Sequence, residues 1–235
     1  MIEAEWWDYD DAGEMADAVA SDIAFIIESA LDARGDALVA FPGGATPGPI
    51  FTHLAEAKLN WKRVTIVPTD DRMVPPTDPR SNVGTIARTF LPKGARVIPL
   101  IGDAKIDYRK AGLDADERLL ALHWPPDLVW LGMGTDGHTA SIFAGPDLEA
   151  ALNAPAKQRA LGVMPDPLPK DAPVARVTLS SSAILGARSL VIAISGAAKR
   201  TLLEAALEDG EDSKIPIGRL LANAEQAVDI HWSAK

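Results

Sequence analysis

The sequence has no cysteine in its 235 residues, so neither a disulfide framework nor a thiolate metal site is available to it. Positive charge is also in short supply. Against 33 Asp and Glu there are 23 Lys and Arg, a formal net charge of −10, which disfavours general binding to nucleic acid or to an anionic membrane, since both rely on basic surface to displace counterions. Any anionic ligand must therefore find a local basic pocket. The N-terminus is not basic and apolar and no long apolar span occurs, which leaves out an export signal and a membrane helix; a cytoplasmic location is expected. No low-complexity linker and no repeat at solenoid or propeller period divides the chain, so residues 1–235 read as one α/β domain. Of the four histidines none belongs to an H-x-x-x-H or similar ligand spacing, and no metal site is expected.

What is present is concentrated between Asp127 and Gly145. Leu128, Val129, Trp130 and Leu131 form a short continuous apolar run, as in a strand buried on both faces of a parallel sheet, and it stops abruptly at Gly132, Gly134, Asp136, Gly137 and His138. In open α/β sheets ligands collect beyond the carboxyl ends of the strands, so these glycines are expected to bring bare backbone to a ligand that Asp136 and His138 face. The spacing Gly132–Gly134–Gly137 also fits the dinucleotide fingerprint. Its lateness in the chain and the break at Gly145–Pro146 argue against a nicotinamide cofactor. His138, with Asp136 close by, has the setting of a general base, whereas His53 and His123 on helical stretches and His231 at a strand end have no partner motif and read as structural.

Elsewhere helical and strand patterns alternate. Ala12 to Arg34 carries Met15, Val19, Ile23, Ile26, Ile27 and Ala30 at helical spacing, with Gly35 as the stop. Trp6 and Trp7 before it read as edge-strand packing. Ala37 to Phe41 is a buried strand running into Pro42-Gly43-Gly44-Ala45-Thr46-Pro47, with Thr46 as N-cap and Pro47 as first helical residue. Free N–H groups in that turn suit a phosphate, although glycines serve a tight turn equally well. Gly48 and Pro49 predict an irregular helix start. Val64 to Val67 delivers Asp70, Asp71 and Arg72 to the same sheet edge, either as an ion-paired loop or as a site for sugar hydroxyls, and Ser81 or Asn82 is placed to cap the helix through Ile86 and Phe90. Arg96 to Leu100 reads as a strand, and Leu113 to Leu122 as a helix with Asp116, Glu117 and Arg118 on its wet side. Ala160 to Met164, Arg176 to Leu179, Ser189 to Ile194 and Ala227 to His231 read as strands, and Ala197 to Leu207 as a helix. The alternation predicts a largely parallel sheet. Lys199 stands in the first turn of that last helix, where it opposes the dipole and is better explained by a bound anion than by helix stability.

Taken in order, FPGGATP, TDDRMVP with DPRSN, GMGTDGHTASIFAG, ARVTLS and SGAAKRTLLEAAL resemble the 6-phosphogluconolactonase family of the pentose phosphate pathway, across nearly the whole chain. That family is similar in fold to glucosamine-6-phosphate deaminase. The resemblance implies a modified doubly wound, largely parallel α/β sheet with helices on both faces, no cofactor, a sugar phosphate lactone as substrate, no nucleic-acid or membrane partner, and a monomer or small homo-oligomer. It implies His138 as base, ordered by Asp136 and by the loop of Gly134, Gly137 and Thr139. Arg72 would meet the oxyanion, and Gly43, Gly44, Thr46, Arg176 and Lys199 would hold the phosphate. Arg80 is a second cation interchangeable with Arg72, and Asp71 and Asn82 belong to the substrate-binding set. The chain departs from the family pattern at Ala45, Asp71 and Gly48-Pro49. Deaminases follow the histidine with a run like Ile-Ala-Phe-Asn-Glu-Pro-Gly, and here Phe143 stands where that glutamate would be. Sugar-phosphate-sensing regulators share the fold, but no DNA-binding helix-turn-helix accompanies this one.

Overall fold

The computed structural model describes residues 3–234, so Met1, Ile2 and Lys235, the ends of the expected domain, lie outside the described residues. In chain order, β1 (Ala4–Tyr9) leads to α1 (Ala12–Arg34), and β2 (Ala37–Phe41) to α2 (Pro47–Leu54). Next come β3 (Val64–Pro68), the short β4 (Asp70–Arg72), α3 (Asn82–Phe90), β5 (Arg96–Val97) and α4 (Tyr108–Leu120). The second half runs β6 (Leu128–Leu131), α5 (Leu148–Leu152), β7 (Ala160–Val163), β8 (Arg176–Leu179) and α6 (Ser181–Leu185). It closes with β9 (Leu190–Ser195), α7 (Ala197–Asp209), α8 (Pro216–Leu221) and β10 (Val228–Ser233).

Seven strands form one sheet in the order β1-β10-β9-β6-β2-β3-β5, every pair parallel. The expected doubly wound arrangement follows from the burial pattern. Along β2 the residues Val39 and Phe41 pack with α1, α2 and α3, while Leu38 and Ala40 pack with α4, α7 and α8 on the opposite face, so both faces of the strand are dry. That explains its unbroken apolar run. From β2 the chain proceeds to β3 and β5 on one side and later to β6, β9 and β10 on the other, which opens a crevice at the carboxyl ends of β2 and β6. Among the described residues no helix is long and apolar enough to cross a membrane.

Local chemistry sets the ends of these elements. Asp11 caps α1 by accepting from the N–H groups of Gly13 and Glu14, and Gly35 closes it in the left-handed region at φ 79°. Ser81 is the N-cap of α3, its Oγ accepting from the N–H of Gly84. Trp6 and Trp7 lie on the edge strand β1, as expected.

Several expectations are corrected. Strands β7 and β8 leave the parallel sheet and join β4 in a separate antiparallel sheet ordered β4-β8-β7. Thr46 sits at the N-cap position with helical backbone angles and makes no capping bond. Helix α2 runs through Gly48 and Pro49 without a break, because first-turn N–H groups have no partner inside the helix for proline to remove. Only Arg96 and Val97 of the Arg96–Leu100 stretch pair as a strand. Helix α4 starts earlier than predicted, capped by Asp107. Asp116 and Arg118 are not on its wet side: Asp116 accepts from the N–H groups of Arg159 and Ala160, and Arg118 donates to the carbonyl of Leu100. His123 lies past the end of α4, and His231 is buried within β10.

Candidate active site

The crevice is a cleft of about 210 Å³, and segments far apart in sequence build it. Among them are the turn after β2, strand β4, Asn82 of α3, the loop after β6, Arg176 of β8 and Lys199 in the first turn of α7.

The loop after β6 supplies a His–carboxylate pair. Nδ1–H of His138 donates to Asp136 Oδ1 at 2.5 Å, and the same oxygen accepts the backbone N–H of His138 at 3.2 Å. This bond holds the Asp136 carboxyl well below the usual carboxylate range, at about 2. With Nδ1 engaged, the neutral ring keeps its lone pair on Nε2, which has no hydrogen-bond partner among the described residues. Gly134 is required beside this pair, since a Cβ there would come within 2.2 Å of the imidazole and 2.6 Å of Asp136 Oδ1. Thr139 ties the loop down by donating to the carbonyl of Gly132 at 2.8 Å, so its hydroxyl lines the cleft already engaged. Gly137 does not meet the cleft as expected: it backs onto Ile215, whose Cγ2 would lie 2.2 Å from an added Cβ.

Strand β4 sorts its three charges by alternation. Asp70 and Arg72 line the cleft, while Asp71, on the opposite face, is buried and accepts from the N–H groups of Asn82 and Val83 at the start of α3. Asp71 thus lies outside the cleft, a correction to its expected place in the substrate-binding set. Burial pushes its carboxyl up to about 6 against those hydrogen bonds. Asp70, delivered to the sheet edge with Asp71 but left out of the expected substrate-binding set, accepts from Ser141 Oγ at 2.6 Å and from Asn82 Nδ2 at 3.2 Å. The period of two along a strand is the signal that could have distinguished the two carboxylates. Asn82 links the cleft wall, since its Oδ1 accepts from Arg72 Nη1 at 2.5 Å and its carboxamide fills the space where a Cβ on Gly43 would fall. Arg80 is also outside the cleft. Its guanidinium forms a two-bond ion pair with Asp78 at 2.9 and 2.7 Å, and only its backbone carbonyl reaches Arg72. Arg72 and Arg80 are therefore not interchangeable in position.

The cleft is cationic and rich in unsatisfied donors. Three buried side-chain nitrogens have no hydrogen-bond partner among the described residues, Arg72 Nε, Arg176 Nε and Trp130 Nε1, and all three residues line this cleft. An unmade bond costs a buried N–H about 1–3 kcal/mol. Burial lowers the pKa of Arg176 and of Lys199, with Asp136 partly opposing the shift at Lys199. Gly43, Gly44 and Thr46 bring the exposed turn after β2 to the same space. Among the described residues no three His, Asp or Glu side chains converge as metal ligands.

The chain as a whole is similar to known proteins. The family model described as glucosamine-6-phosphate isomerases/6-phosphogluconolactonase matches residues 10–232. The chain belongs to this family. Among family members, the 6-phosphogluconolactonase of Rhizobium meliloti is 36% identical over 96% of this chain and 97% of that one. The Pseudomonas putida 6-phosphogluconolactonase is 34% identical over 94% and 90% of the two chains. The crystal structure of a 6-phosphogluconolactonase from Shewanella baltica superposes with a TM-score of 0.88 at 33% identity, covering 99% of this chain and 98% of that one.

Proposed function

We propose that this chain is the 6-phosphogluconolactonase its family relatives are named for, a single catalytic domain that hydrolyses 6-phosphoglucono-1,5-lactone to 6-phosphogluconate in the oxidative pentose phosphate pathway. The observation that carries this reading is the pairing of an Asp-anchored imidazole with the three cations Arg72, Arg176 and Lys199 around one cleft.

The reaction adds water across the ester carbonyl. His138 takes a proton on Nε2 as the water oxygen bonds to the carbonyl carbon, and the imidazolium that forms is stabilised by Asp136, a carboxylate ionised at any working pH. Charge developing on the carbonyl oxygen is met by Arg72. Collapse of the tetrahedral species breaks the bond to the ring oxygen, which receives the proton from His138, leaving the open-chain acid. Arg176, Lys199 and the N–H groups of the Gly43–Thr46 turn hold the phosphate at the far end, and this remote binding places the carbonyl against His138. No cofactor enters the scheme.

Purified protein is expected to open the lactone faster than water does, with undiminished activity after treatment with a chelator. His138→Ala should lower kcat about a hundred- to ten-thousandfold while the protein stays folded. A folded His138→Ala variant with wild-type turnover would remove this histidine from the mechanism.

A further inference from the structure

The Asp136 hydrogen bond engages the edge of the His138 ring at Nδ1 and leaves both faces of the imidazole without support from that carboxylate. A second contact covers one face. The Phe143 ring lies against the imidazole with centroids 4.0 Å apart and planes inclined by 20°. The Arg176 guanidinium sits over the same phenyl ring, with Cζ 5.1 Å from its centroid. Phe143 thus touches both the proposed base and a cation of the cleft, on a loop already closed by the Thr139 bond to Gly132 and the bond from Ser141 N–H to Thr178.

We propose that Phe143 is a positioning residue for His138: its ring face fixes the plane of the imidazole so that Nε2 stays directed at the attacking water, and it supports the imidazolium once the proton has moved. The inference rests on the reading of His138 as base. Two physical effects act in the same direction. Face-to-face contact removes a rotation that would otherwise have to be frozen in the transition state. The π face also attracts the ring more strongly once the imidazole is cationic than while it is neutral, which favours the transition state over the ground state. An aliphatic side chain of similar bulk excludes water and fills space but offers no face.

Steady-state kinetics of the full chain test this with Phe143→Leu, Phe143→Tyr, His138→Ala and the His138→Ala/Phe143→Leu double variant, each checked for folding by its melting curve. Phe143→Leu should lower kcat about tenfold and leave KM within about twofold. Phe143→Tyr, which keeps the ring face, should stay within about threefold of the native kcat. In the His138→Ala background, Phe143→Leu should have no further effect, because the ring acts through the imidazole. Should the leucine variant not fold, Phe143→Met carries the same expectation. A rise in KM at constant kcat would make Phe143 a mere wall of the cleft and overturn the proposal. Equal losses in the leucine and tyrosine variants would do the same, as would a full tenfold loss on top of an already impaired His138→Ala enzyme. Undiminished kcat in His138→Ala itself is a separate outcome, which would sink the base assignment and the proposal with it.

Discussion

Arg72 and Arg176 stand opposite each other as register partners in the antiparallel ladder of β4 and β8. Like charges so placed on neighbouring strands repel. Burial lowers the pKa of Arg176; the Asp70 charge opposes this and outweighs the repulsion from Arg72, and both guanidinium groups keep an unpartnered Nε. The burial of Arg176 is the unfavourable part of this arrangement for the empty protein.

This gives a stability prediction. Arg176→Met removes the desolvation of a buried charge, the largest effect on this group, so it should stabilise the ligand-free protein by about 1 kcal/mol, a rise of about 2–4 °C in Tm for a chain of this size. The same variant should lose most of its activity on the phosphorylated lactone and little of its slow activity on unphosphorylated gluconolactone. A lowered Tm by calorimetry would show that Arg176 is a structural brace.

Position separates the two arginines that the motifs left equivalent. Arg72→Ala should cost about a hundred- to thousandfold in kcat, as expected for loss of a donor to a developing oxyanion. Arg80 is spent on Asp78, away from the cleft, so Arg80→Ala should change kcat/KM by no more than about twofold. Comparable losses in the two variants would return Arg80 to the site.

Lys199 provides a pH signature. Burial lowers its pKa from the ordinary value of 10.5, so the free protein loses this positive charge at a lower pH than an exposed lysine would. Calorimetric affinity for 6-phosphogluconate should therefore weaken as pH rises from about 7.5 to about 10, and Lys199→Arg, whose charge persists, should flatten the trend. Parallel curves for the two proteins would place Lys199 outside the phosphate contact.

The deaminase reaction should be absent. Phe143 is packed on His138, at the position where the motif resemblance puts a glutamate in deaminases, and a phenyl ring neither gives nor takes a proton. Glucosamine 6-phosphate should yield no ammonia under conditions where the lactone is turned over readily. Ammonia release that disappears in His138→Ala would reverse the order of the two activities.

What could be read in the sequence was whatever neighbours in the chain decide among themselves. The apolar run Leu128–Leu131 and its glycine-rich exit are local signals, as are the caps at Asp11 and Ser81, the stop at Gly35 and the α1 stripe. Asp136 and His138 are two residues apart, so their pairing needed no tertiary information. The ordered motifs carried the family, because each marks a turn or strand end whose residue types are constrained by backbone shape or chemistry.

Other features depended on segments that meet only in the folded chain. Nothing near Arg176 announces that its strand will turn away from the parallel sheet and pair antiparallel with Asp70–Arg72, since a short apolar strand fits either partner and the choice lies in the other strand. The same pairing sends Asp70 toward the cleft and Asp71 away from it. Gly137 looked like a ligand glycine, yet the space beside it is taken by Ile215, a residue far along the chain. The stack of Phe143 on His138 with Arg176 above it was equally invisible. Local sequence determines backbone propensity and turn chemistry, whereas which surfaces are brought into contact depends on complementarity between distant segments, and only the tertiary structure contains both sides of that contact.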